Sequence, residues 1–249
     1  MSELVIPKQL LQYLKDVPYE DVSCRSNSKT YRFNNGLYLK IDNKDELKRE
    51  YQMSTILYKL GIGVEVIEFL SIDKDYLLTK EADGVDLTHL LDNPYQLCSI
   101  VAETLKKLHS IPTNGIPLST RYERYIESLN GPYEGGYYDP SILLKGYKMS
   151  KSEAWEIMHN NSHLLKADTF IHGDACLPNI MARDNSFTSF IDTGLAGLGD
   201  KHIDIYWALW SIEYNLKTSD YNQYFLDLLG KDYYSMNTLL TVMAFEVFG

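Results

Sequence analysis

Two short stretches, FIHGDACLPNI at residues 170–180 and FIDTG at residues 190–194, decide which fold is expected. Each begins with an apolar run typical of a buried strand and then delivers a carboxylate, Asp174 in the first stretch and Asp192 in the second. Asn179 follows Asp174 across a turn that contains Pro178, so both side chains can point into one pocket. The sequence therefore predicts two strand-end acids and one amide at a single site.

These side chains are the set that phosphoryl transfer requires. A carboxylate must orient the attacking hydroxyl and can accept its proton, a role that suits Asp174. Mg²⁺ prefers hard oxygen ligands, which Asn179 and Asp192 offer. The spacing also matches the Asp and Asn of a protein-kinase catalytic loop, with Asp192-Thr193-Gly194 in place of the kinase Asp-Phe-Gly. The alternative is two turns in which Asp and Asn only cap the backbone.

A second pair of charged residues lies upstream. Lys40 sits between Leu39 and Ile41 in a predicted strand, where a lysine is costly unless an anion accompanies it. Glu50, on the next predicted helix, is a candidate partner, and kinases use such a pair to position nucleotide phosphates. The alternative is an edge lysine and a surface glutamate that both face solvent. The sequence contains no Walker pattern, which argues against a P-loop kinase.

The chain changes character near residue 80, from strand-rich to helical. Asn35-Gly36 predicts a two-residue hairpin turn with both residues at positive φ. Apolar spacing predicts a helix over 45–60 that Gly61 ends. Strands are expected over 64–70 and 76–79, and helices over 95–109, 150–166 and from 202 onward. We therefore expect an α+β chain with a small β-rich lobe over 1–80, a hinge over 81–84 and a larger helical lobe over 85–249.

Composition narrows the partners and the compartment. The 249 residues carry a net charge of -10, which makes nucleic acid an unexpected partner and suits a cationic ligand, although solubility alone would also explain it. The three cysteines are an odd number without a CxxC pair, a pattern typical of the reducing cytoplasm. The N-terminus has no signal-peptide pattern, and no apolar run approaches the ~18 residues of a membrane span.

At the level of whole motifs, the sequence resembles the aminoglycoside phosphotransferase family, most closely its 3′-phosphotransferases (neomycin/kanamycin kinases). HGDACLPNIM at 172–181 reads as it does in neomycin kinases, and FIDTGLAGLGDKHIDIYWAL at 190–209 is similar to the family's FIDxGRxGxADRxxDIA. LYLK at 37–40, EADG at 81–84 and the tail over 225–248 also match, whereas 113–165 matches least.

The resemblance implies a two-lobed, protein-kinase-like fold and transfer of the γ-phosphate of ATP or GTP, with Mg²⁺, to an aminoglycoside hydroxyl, which would confer resistance. It implies Asp174 as the base, Asn179 and Asp192 as magnesium ligands, and Lys40 with Glu50 as the phosphate-positioning pair. For the nucleotide it further implies Tyr38 stacked on the base, the backbone of Glu81 and Ala82 bonded to it, Ser26 over the phosphates, and Ile180 or Met181 with Ile191 beneath the base.

The substrate side departs from the family pattern. Leu195 stands where the family usually has Arg, and Phe245 replaces one member of an acidic pair, which leaves Glu246. A polycationic substrate needs several carboxylates, since one exposed ion pair contributes only about 0.2–1 kcal/mol. The candidates are Asp174, Glu213, Glu246, the terminal carboxylate of Gly249, and Glu134 or Asp139, although Glu134, Asp139 and Glu213 could equally be solvated surface charges.

Three functions are compatible with the sequence. The first is phosphorylation of an aminoglycoside, with the 3′-hydroxyl of a kanamycin/neomycin-type substrate as the expected acceptor. The second is phosphorylation of another small hydroxyl compound, such as a different antibiotic, choline or a metabolite. The third is a non-catalytic nucleotide-binding or scaffold protein, which the presence of Lys40, Asp174 and Asp192 disfavours. A protein substrate is not expected, because Asp192 is followed by only about ten residues before the next predicted helix.

Overall fold

The computed structural model describes residues 4–23, 28–133 and 137–249, and the chain divides into two compact units, Met1–Ala82 and Asp83–Gly249. The first unit contains α1 (Leu11–Leu14), β1 (Tyr19–Asp21), β2 (Lys29–Phe33), β3 (Leu37–Asn43), α2 (Lys48–Lys59), β4 (Val66–Ser71) and β5 (Lys74–Lys80). The second contains β6 (Val85–Asp86), α3 (Pro94–His109), α4 (Thr120–Ser128), α5 (Lys151–Asn161), β7 (Thr169–Ile171), β8 (Ile180–Arg183), β9 (Ser186–Phe190), β10 (Gly197–Gly199), α6 (Lys201–Leu216), α7 (Asn222–Leu229) and α8 (Met236–Glu246).

The first unit is built on one antiparallel sheet in the order β1-β2-β3-β5-β4. Alternating residues of β3 define its two faces. Leu39 and Ile41 pack into a cluster with Leu10, Phe33 and Leu78, while Lys40 is directed to the other face. Helix α2 contacts β4 and occupies the predicted helical range. Strand alternation thus places the Lys40 side chain outside the apolar core, while its backbone stays within the sheet.

The β2–β3 hairpin differs from its prediction. Phe33 pairs with Leu37, so the loop has three residues rather than two. Gly36 alone in this loop has positive φ (75°), and its N–H donates to the Phe33 carbonyl at 3.0 Å. Asn35 instead donates its side-chain amide to the Tyr13 carbonyl at 2.9 Å. The Asn-Gly pair correctly predicted a hairpin, but the two-residue turn was wrong because strand pairing selected a longer loop with only its last residue left-handed.

The helices of the second unit follow their expected capping signals. Asn93 caps α3, whose bounds confirm the helix predicted over 95–109. Ser150 and Glu153 form a capping box at the start of α5, which ends at Asn161 and gives way to a 3₁₀ turn, earlier than predicted. Helix α4, capped by Ser119, was not predicted.

Helix α6 lies at the centre of the second unit. All of its residues over 202–209 are buried, and the helix contacts α3, α7 and α8. The chain predicted as helix from 202 onward is three helices, with breaks at Lys217 (φ 60°) and Gly230 (φ 98°). Two small sheets, β7–β10 and β6–β8–β9, accompany the helices. Within the described ranges, no helix combines the length and apolarity needed to cross a bilayer.

Candidate active site

Asp174 stands on the loop that follows strand β7. Phe170 and Ile171 of that strand are fully buried at 0 % exposure, and His172 is 1 % exposed. Gly173 is also buried, whereas the Asp174 side chain is partly exposed. The apolar strand therefore anchors the loop and leaves its carboxylate accessible.

Asp204 on α6, which sequence analysis did not select, holds the backbone of this loop. Its two carboxylate oxygens accept hydrogen bonds from the N–H groups of His172 and Gly173, each at 2.8 Å. The residue is 0 % exposed, and His109 Nε2 lies 3.0 Å from its Oδ2. A buried carboxylate with three partners is a rigid anchor. The signal that could have identified it is the Asp-Ile pair at 204–205 in the family-like string.

Gly173 is required by the way the loop meets the segment after Asp192. Its φ is 79°, and a Cβ added there would lie 2.5 Å from the Leu195 carbonyl oxygen. Any side chain at this position would push the two segments apart. The residue before Asp174 is therefore glycine for both conformational and steric reasons.

Asn179 contacts Asp174 directly, as the five-residue spacing suggested. Its amide nitrogen lies 3.0 Å from the Asp174 carbonyl oxygen and 3.0 Å from Asp174 Oδ2. The amide therefore donates both hydrogens to Asp174. Asp174 is partly exposed while Asn179 is buried, so the contact holds an accessible carboxylate in place from the protein side.

The β8–β9 hairpin brings the third residue to the same place. The Ile191 N–H donates to the Asn179 carbonyl at 3.1 Å, and Asp192 is the next residue along the chain. His172 Nε2 lies 3.0 Å from the Ile191 carbonyl oxygen, which ties the Asp174 loop to the same segment. The structure thus gathers Asp174, Asn179 and Asp192 at one end of one hairpin.

Asp192 adopts an unusual backbone conformation. Its φ and ψ are 54° and 56°, in the left-handed region that L-residues other than glycine rarely occupy, and its side chain is exposed. Such a conformation costs on the order of 1 kcal/mol and persists where the surrounding structure enforces it. Asp enters this region more readily than most residues, as Asp16, Asp45 and Asp184 also do here, and strained backbone of this kind clusters at functional sites.

Magnesium is the metal that these residues fit. Among residues 4–23, 28–133 and 137–249, no three or more His, Cys, Asp or Glu side chains cluster as a metal cage. Mg²⁺ does not need one, because it is commonly bound by one or two protein oxygens together with phosphates and water. The Asn179 amide oxygen and the Asp192 carboxylate are hard donors of that kind.

In the first unit, Lys40 and Glu50 form an ion pair. Lys40 Nζ on β3 lies 2.7 Å from Glu50 Oε2 on α2, and the two side chains are 20 % and 11 % exposed. The alternative of two independent solvent-facing charges does not describe this geometry. Partial burial makes the pair less screened than a surface ion pair.

Tyr38 and Glu81 share a second polar cluster of the first unit. Arg32 Nη2 contacts Glu81 Oε1 at 2.7 Å, and the Tyr38 hydroxyl lies 3.5 Å from the same oxygen. Burial, and then the Glu81 charge, raise the pKa of Tyr38. The Glu81 N–H donates to the Gly36 carbonyl at 2.8 Å. This bond occupies the Glu81 N–H, and the backbone contact of Glu81 and Ala82 with a base stays a prediction from the family resemblance.

The residues assigned to the floor of the base site differ in exposure. Ile180 is 0 % exposed, while Met181 and Ile191 are partly exposed. Neighbouring residues of β8 point to opposite faces, so Ile180 belongs to the core and Met181 does not. Of the two alternatives offered by the sequence, Met181 is the better placed to meet a ligand.

Three other predicted residues need a separate account. Ser26 and Glu134 lie outside the described residues. Asp139 caps a 3₁₀ turn by accepting from the Ser141 N–H at 2.9 Å, and it accepts from the Tyr137 hydroxyl at 3.2 Å. Its hydrogen bonds with Ser141 lower the pKa of Asp139.

Glu213 is buried at 4 % exposure, with both oxygens bonded inside the protein. Oε2 accepts from the Lys145 N–H at 2.8 Å, and Oε1 accepts from the Asn222 side-chain amide. A substrate amine would have to displace these partners. The position of Glu213 therefore argues against its predicted role as a substrate ligand.

Glu246 has a similar environment, at 2 % exposure. Its oxygens accept from Arg121 Nη1 at 2.9 Å, from Trp207 Nε1 at 2.8 Å and from the Tyr125 hydroxyl. Gly249 is exposed, and its N–H donates to the Glu246 carbonyl at 3.1 Å. The carboxylate of Glu246 is thus engaged within the protein, which revises its predicted use as an amine ligand.

The chain is similar to known proteins in sequence and in structure. The phosphotransferase enzyme family (APH) matches residues 23–238. A probable aminoglycoside 3′-phosphotransferase of Lactococcus lactis is 34 % identical over 251 residues, with 98 % of this chain and 95 % of that protein covered. An aminoglycoside 3′-phosphotransferase of Enterococcus faecalis is 27 % identical, with 90 % and 89 % covered.

The fold has solved relatives. Aminoglycoside phosphotransferase APH(3″)-Id from Streptomyces rimosus, in complex with ADP and streptomycin, superposes with a TM-score of 0.72 at 17 % identity, covering 96 % of this chain and 95 % of that one. The α+β, protein-kinase-like fold expected from the sequence is confirmed by this likeness.

Proposed function

The chain belongs to the phosphotransferase enzyme family, and we propose that it transfers the γ-phosphate of a nucleoside triphosphate to a hydroxyl group of an aminoglycoside antibiotic. The observation that carries this proposal is the contact between Asn179 and the Asp174 carboxylate at 3.0 Å, beside a segment that ends in Asp192. Base, amide and second acid are the parts that phosphoryl transfer needs. Modification of the antibiotic would confer resistance.

Asp174 is the group that handles the acceptor hydroxyl. Asn179 orients the carboxylate through Oδ2, and the partly exposed carboxylate accepts the hydrogen bond from the hydroxyl. As the acceptor oxygen bonds to the γ-phosphorus, the bond from that phosphorus to the β-γ bridging oxygen breaks and the hydroxyl proton passes to Asp174. Because the transition state is loose and charge is spread over the phosphoryl oxygens, most of the catalysis is positioning and electrostatics.

The nucleotide, ATP or GTP, is assigned to the residues that the sequence predicts for it. Lys40, held by Glu50 at 2.7 Å, neutralises phosphate charge. Ser26 contributes to the same phosphates. Tyr38 stacks on the base, and the Glu81 carbonyl with the Ala82 N–H supplies its hydrogen bonds.

Met181 and Ile191 supply the apolar contact to the base, and Ile180 supports them from the core. Asn179 and Asp192 would hold Mg²⁺, which when bound supplies positive charge at the phosphate oxygens. The assignment to Asp192 is supported by its exposed side chain and by its place next to Ile191, whose N–H donates to the Asn179 carbonyl at 3.1 Å.

The acceptor side favours a polycation. The chain has a net charge of -10, and an acidic surface raises the local concentration of cations. We propose the 3′-hydroxyl of a kanamycin/neomycin-type aminoglycoside as the target, as in the names of the relatives. Of the predicted acidic ligands in the described part of the chain, Asp174 is partly exposed and Gly249 is exposed, whereas Glu213 and Glu246 are buried.

The cytoplasm is the proposed compartment. Cys98 and Cys176 are unpaired in the part of the chain that the structure describes. Burial raises the pKa of Cys98 to about 11, so this thiol is inert rather than redox-active. Free buried thiols suit a reducing environment. We propose neither nucleic acid nor membrane as a partner.

The decisive experiment incubates the purified chain with γ-labelled ATP or GTP, Mg²⁺ and a panel of acceptors, with products read by mass spectrometry. The panel contains kanamycin, neomycin, streptomycin, choline and a macrolide. A gain of one phosphate on kanamycin or neomycin, located at the 3′ position, is expected. Phosphorylation of choline or the macrolide alone would assign another substrate class, and no acceptor-dependent transfer at all would overturn the proposed function.

A further inference from the structure

Three consecutive side chains at the start of α4 hold both segments of the candidate site. Ser119 Oγ donates to the Leu195 carbonyl at 2.6 Å, and Thr120 Oγ1 donates to the Gly194 carbonyl at 3.1 Å. Arg121 Nε donates to the Gly173 carbonyl at 3.0 Å. The first two bonds fix the chain just after Asp192, and the third fixes the peptide that leads into Asp174.

The guanidinium of Arg121 is itself fixed in orientation. Nη1 lies 2.9 Å from Glu246 Oε2, and the group lies over the Trp207 ring, 4.6 Å from its centroid. The side chain is 12 % exposed. Burial is the largest single influence and opposes the charge, but Glu246 together with Tyr125, Asp174 and Cys176 outweighs it, so the pKa of Arg121 is raised and the group stays charged. Glu246 in turn is held by Trp207 Nε1 at 2.8 Å.

The loop that carries Asp174 is therefore held from two sides. Asp204 on α6 binds the N–H groups of His172 and Gly173. Arg121 on α4 binds the Gly173 carbonyl, which belongs to the same peptide plane as the Asp174 N–H. These hydrogen bonds restrict the orientation of the peptide plane between Gly173 and Asp174. They therefore also restrict the direction of the Asp174 side chain.

We propose that Ser119, Thr120 and Arg121 act as positioning residues for phosphoryl transfer. They set the placement of Asp174 relative to the segment that begins at Asp192, and Glu246 is the anchor of Arg121 rather than a ligand for substrate amines. The inference rests on the proposed function for its kinetic readout. It also makes a claim about backbone order that is measured without substrate.

The first test substitutes Arg121→Lys, with Arg124→Lys as the matched control, because Arg124 is an exposed residue of the same helix. Lysine keeps the charge but cannot bond Gly173 and Glu246 with one fixed fork. We expect kcat to fall about 10- to 100-fold, as misplacement of a reacting group predicts, with both KM values within about twofold. Arg124→Lys should match the unaltered chain.

Hydrogen–deuterium exchange supplies the readout that needs no turnover. Peptides that cover 172–177 should exchange faster in Arg121→Lys than in Arg124→Lys. Unchanged exchange, or an unchanged kcat in a chain that phosphorylates its acceptor, overturns the inference. Failure of the unaltered chain to phosphorylate any acceptor would instead count against the proposed function, and exchange would still decide the positioning claim.

At Thr120, two substitutions separate the hydroxyl group from the shape of the side chain. Thr120→Val keeps the shape and removes the hydroxyl that bonds the Gly194 carbonyl, whereas Thr120→Ser keeps that donor. The valine variant should lose kcat and the serine variant should recover it. Equal activity of the two variants would remove Thr120 from the positioning set.

Glu246→Gln separates the anchor role from substrate binding. The amide keeps the size of the side chain but loses the charge that compensates Arg121. We expect a lower kcat with the acceptor KM unchanged and faster exchange at 172–177. A raised acceptor KM with kcat and exchange unchanged would identify Glu246 as a substrate ligand and overturn the anchor assignment.

Discussion

The side-chain amide of Asn179 lies 3.0 Å from both the carbonyl oxygen and the Oδ2 atom of Asp174. One residue therefore fixes the backbone and the carboxylate of the proposed base at the same time. This double contact fixes the orientation of the carboxylate that would meet the acceptor. Asn179 also connects Asp174 to the segment that ends in Asp192, because the Asn179 carbonyl accepts a hydrogen bond from the Ile191 N–H at 3.1 Å.

Replacing the proposed base tests this arrangement first. Asp174→Asn keeps the size of the side chain but cannot accept the acceptor proton, so kcat should fall by about 10²–10⁴-fold. Nucleotide affinity, measured by fluorescence titration, should change little, since Asp174 is not assigned to the nucleotide. An Asp174→Asn variant with undiminished kanamycin phosphorylation would exclude Asp174 as the base.

The left-handed conformation of Asp192 predicts that glycine and alanine variants lose nucleotide affinity alike but differ in stability. Asp192→Gly and Asp192→Ala both remove the carboxylate and should weaken nucleotide affinity in magnesium buffer. Glycine adopts φ near 54° without strain, so Asp192→Gly should be more stable than Asp192→Ala by about 1 kcal/mol in urea unfolding. An alanine variant as stable as the glycine variant would show that this backbone is unstrained.

The Lys40–Glu50 pair predicts a nucleotide-side phenotype. Lys40→Met removes the charge and leaves Glu50 partly buried without its 2.7 Å partner. We expect a higher nucleotide KM and a lower kcat, with the acceptor KM unchanged in steady-state kinetics. Lys44→Met is the matched control, because Lys44 is an exposed lysine that follows the same strand. Equal kinetics for both variants would leave Lys40 without a role at the phosphates.

Asp200, the N-cap of α6, predicts a pH dependence of stability. Burial opposes its charge, but hydrogen bonds from His202 and from the Lys166 N–H outweigh burial and lower the pKa of Asp200. A lowered pKa stabilises the folded state above the unfolded value of about 3.9, and this contribution is lost as the pH falls through the folded value.

Asp200→Ala should therefore lower the free energy of unfolding by about 1–3 kcal/mol at pH 7. The difference from the unaltered chain should shrink as the pH falls below about 4, measured by urea unfolding over pH 3–7. A difference that stays constant over this range would mean that the Asp200 charge contributes nothing.

Local spacing explains what could be predicted from the sequence. Asp174, Asn179 and Asp192 are close in the chain, and strand alternation accounts for the orientation of Lys40, so their arrangement follows from short-range rules. The hairpin at Asn35-Gly36 was predicted for the same reason, although its loop length depends on which residues of the two strands pair.

The remaining parts depend on contacts between distant segments. Asp204 reaches the Asp174 loop from α6, and Arg121 reaches it from the part of the chain that resembles the family least. The burial of Glu246 follows from the packing of α8 against α6, which no local pattern encodes. The sequence showed an acidic residue, Glu246, near the end of the chain, which predicted contact with a substrate amine.

The bond between Glu246 and Arg121 has a consequence for the carboxyl end of the chain. Truncation before residue 246 would leave the largely buried guanidinium of Arg121 without its partner, a loss that typically costs about 3–5 kcal/mol. Variants that lack Glu246 should therefore fold poorly and yield little functional enzyme.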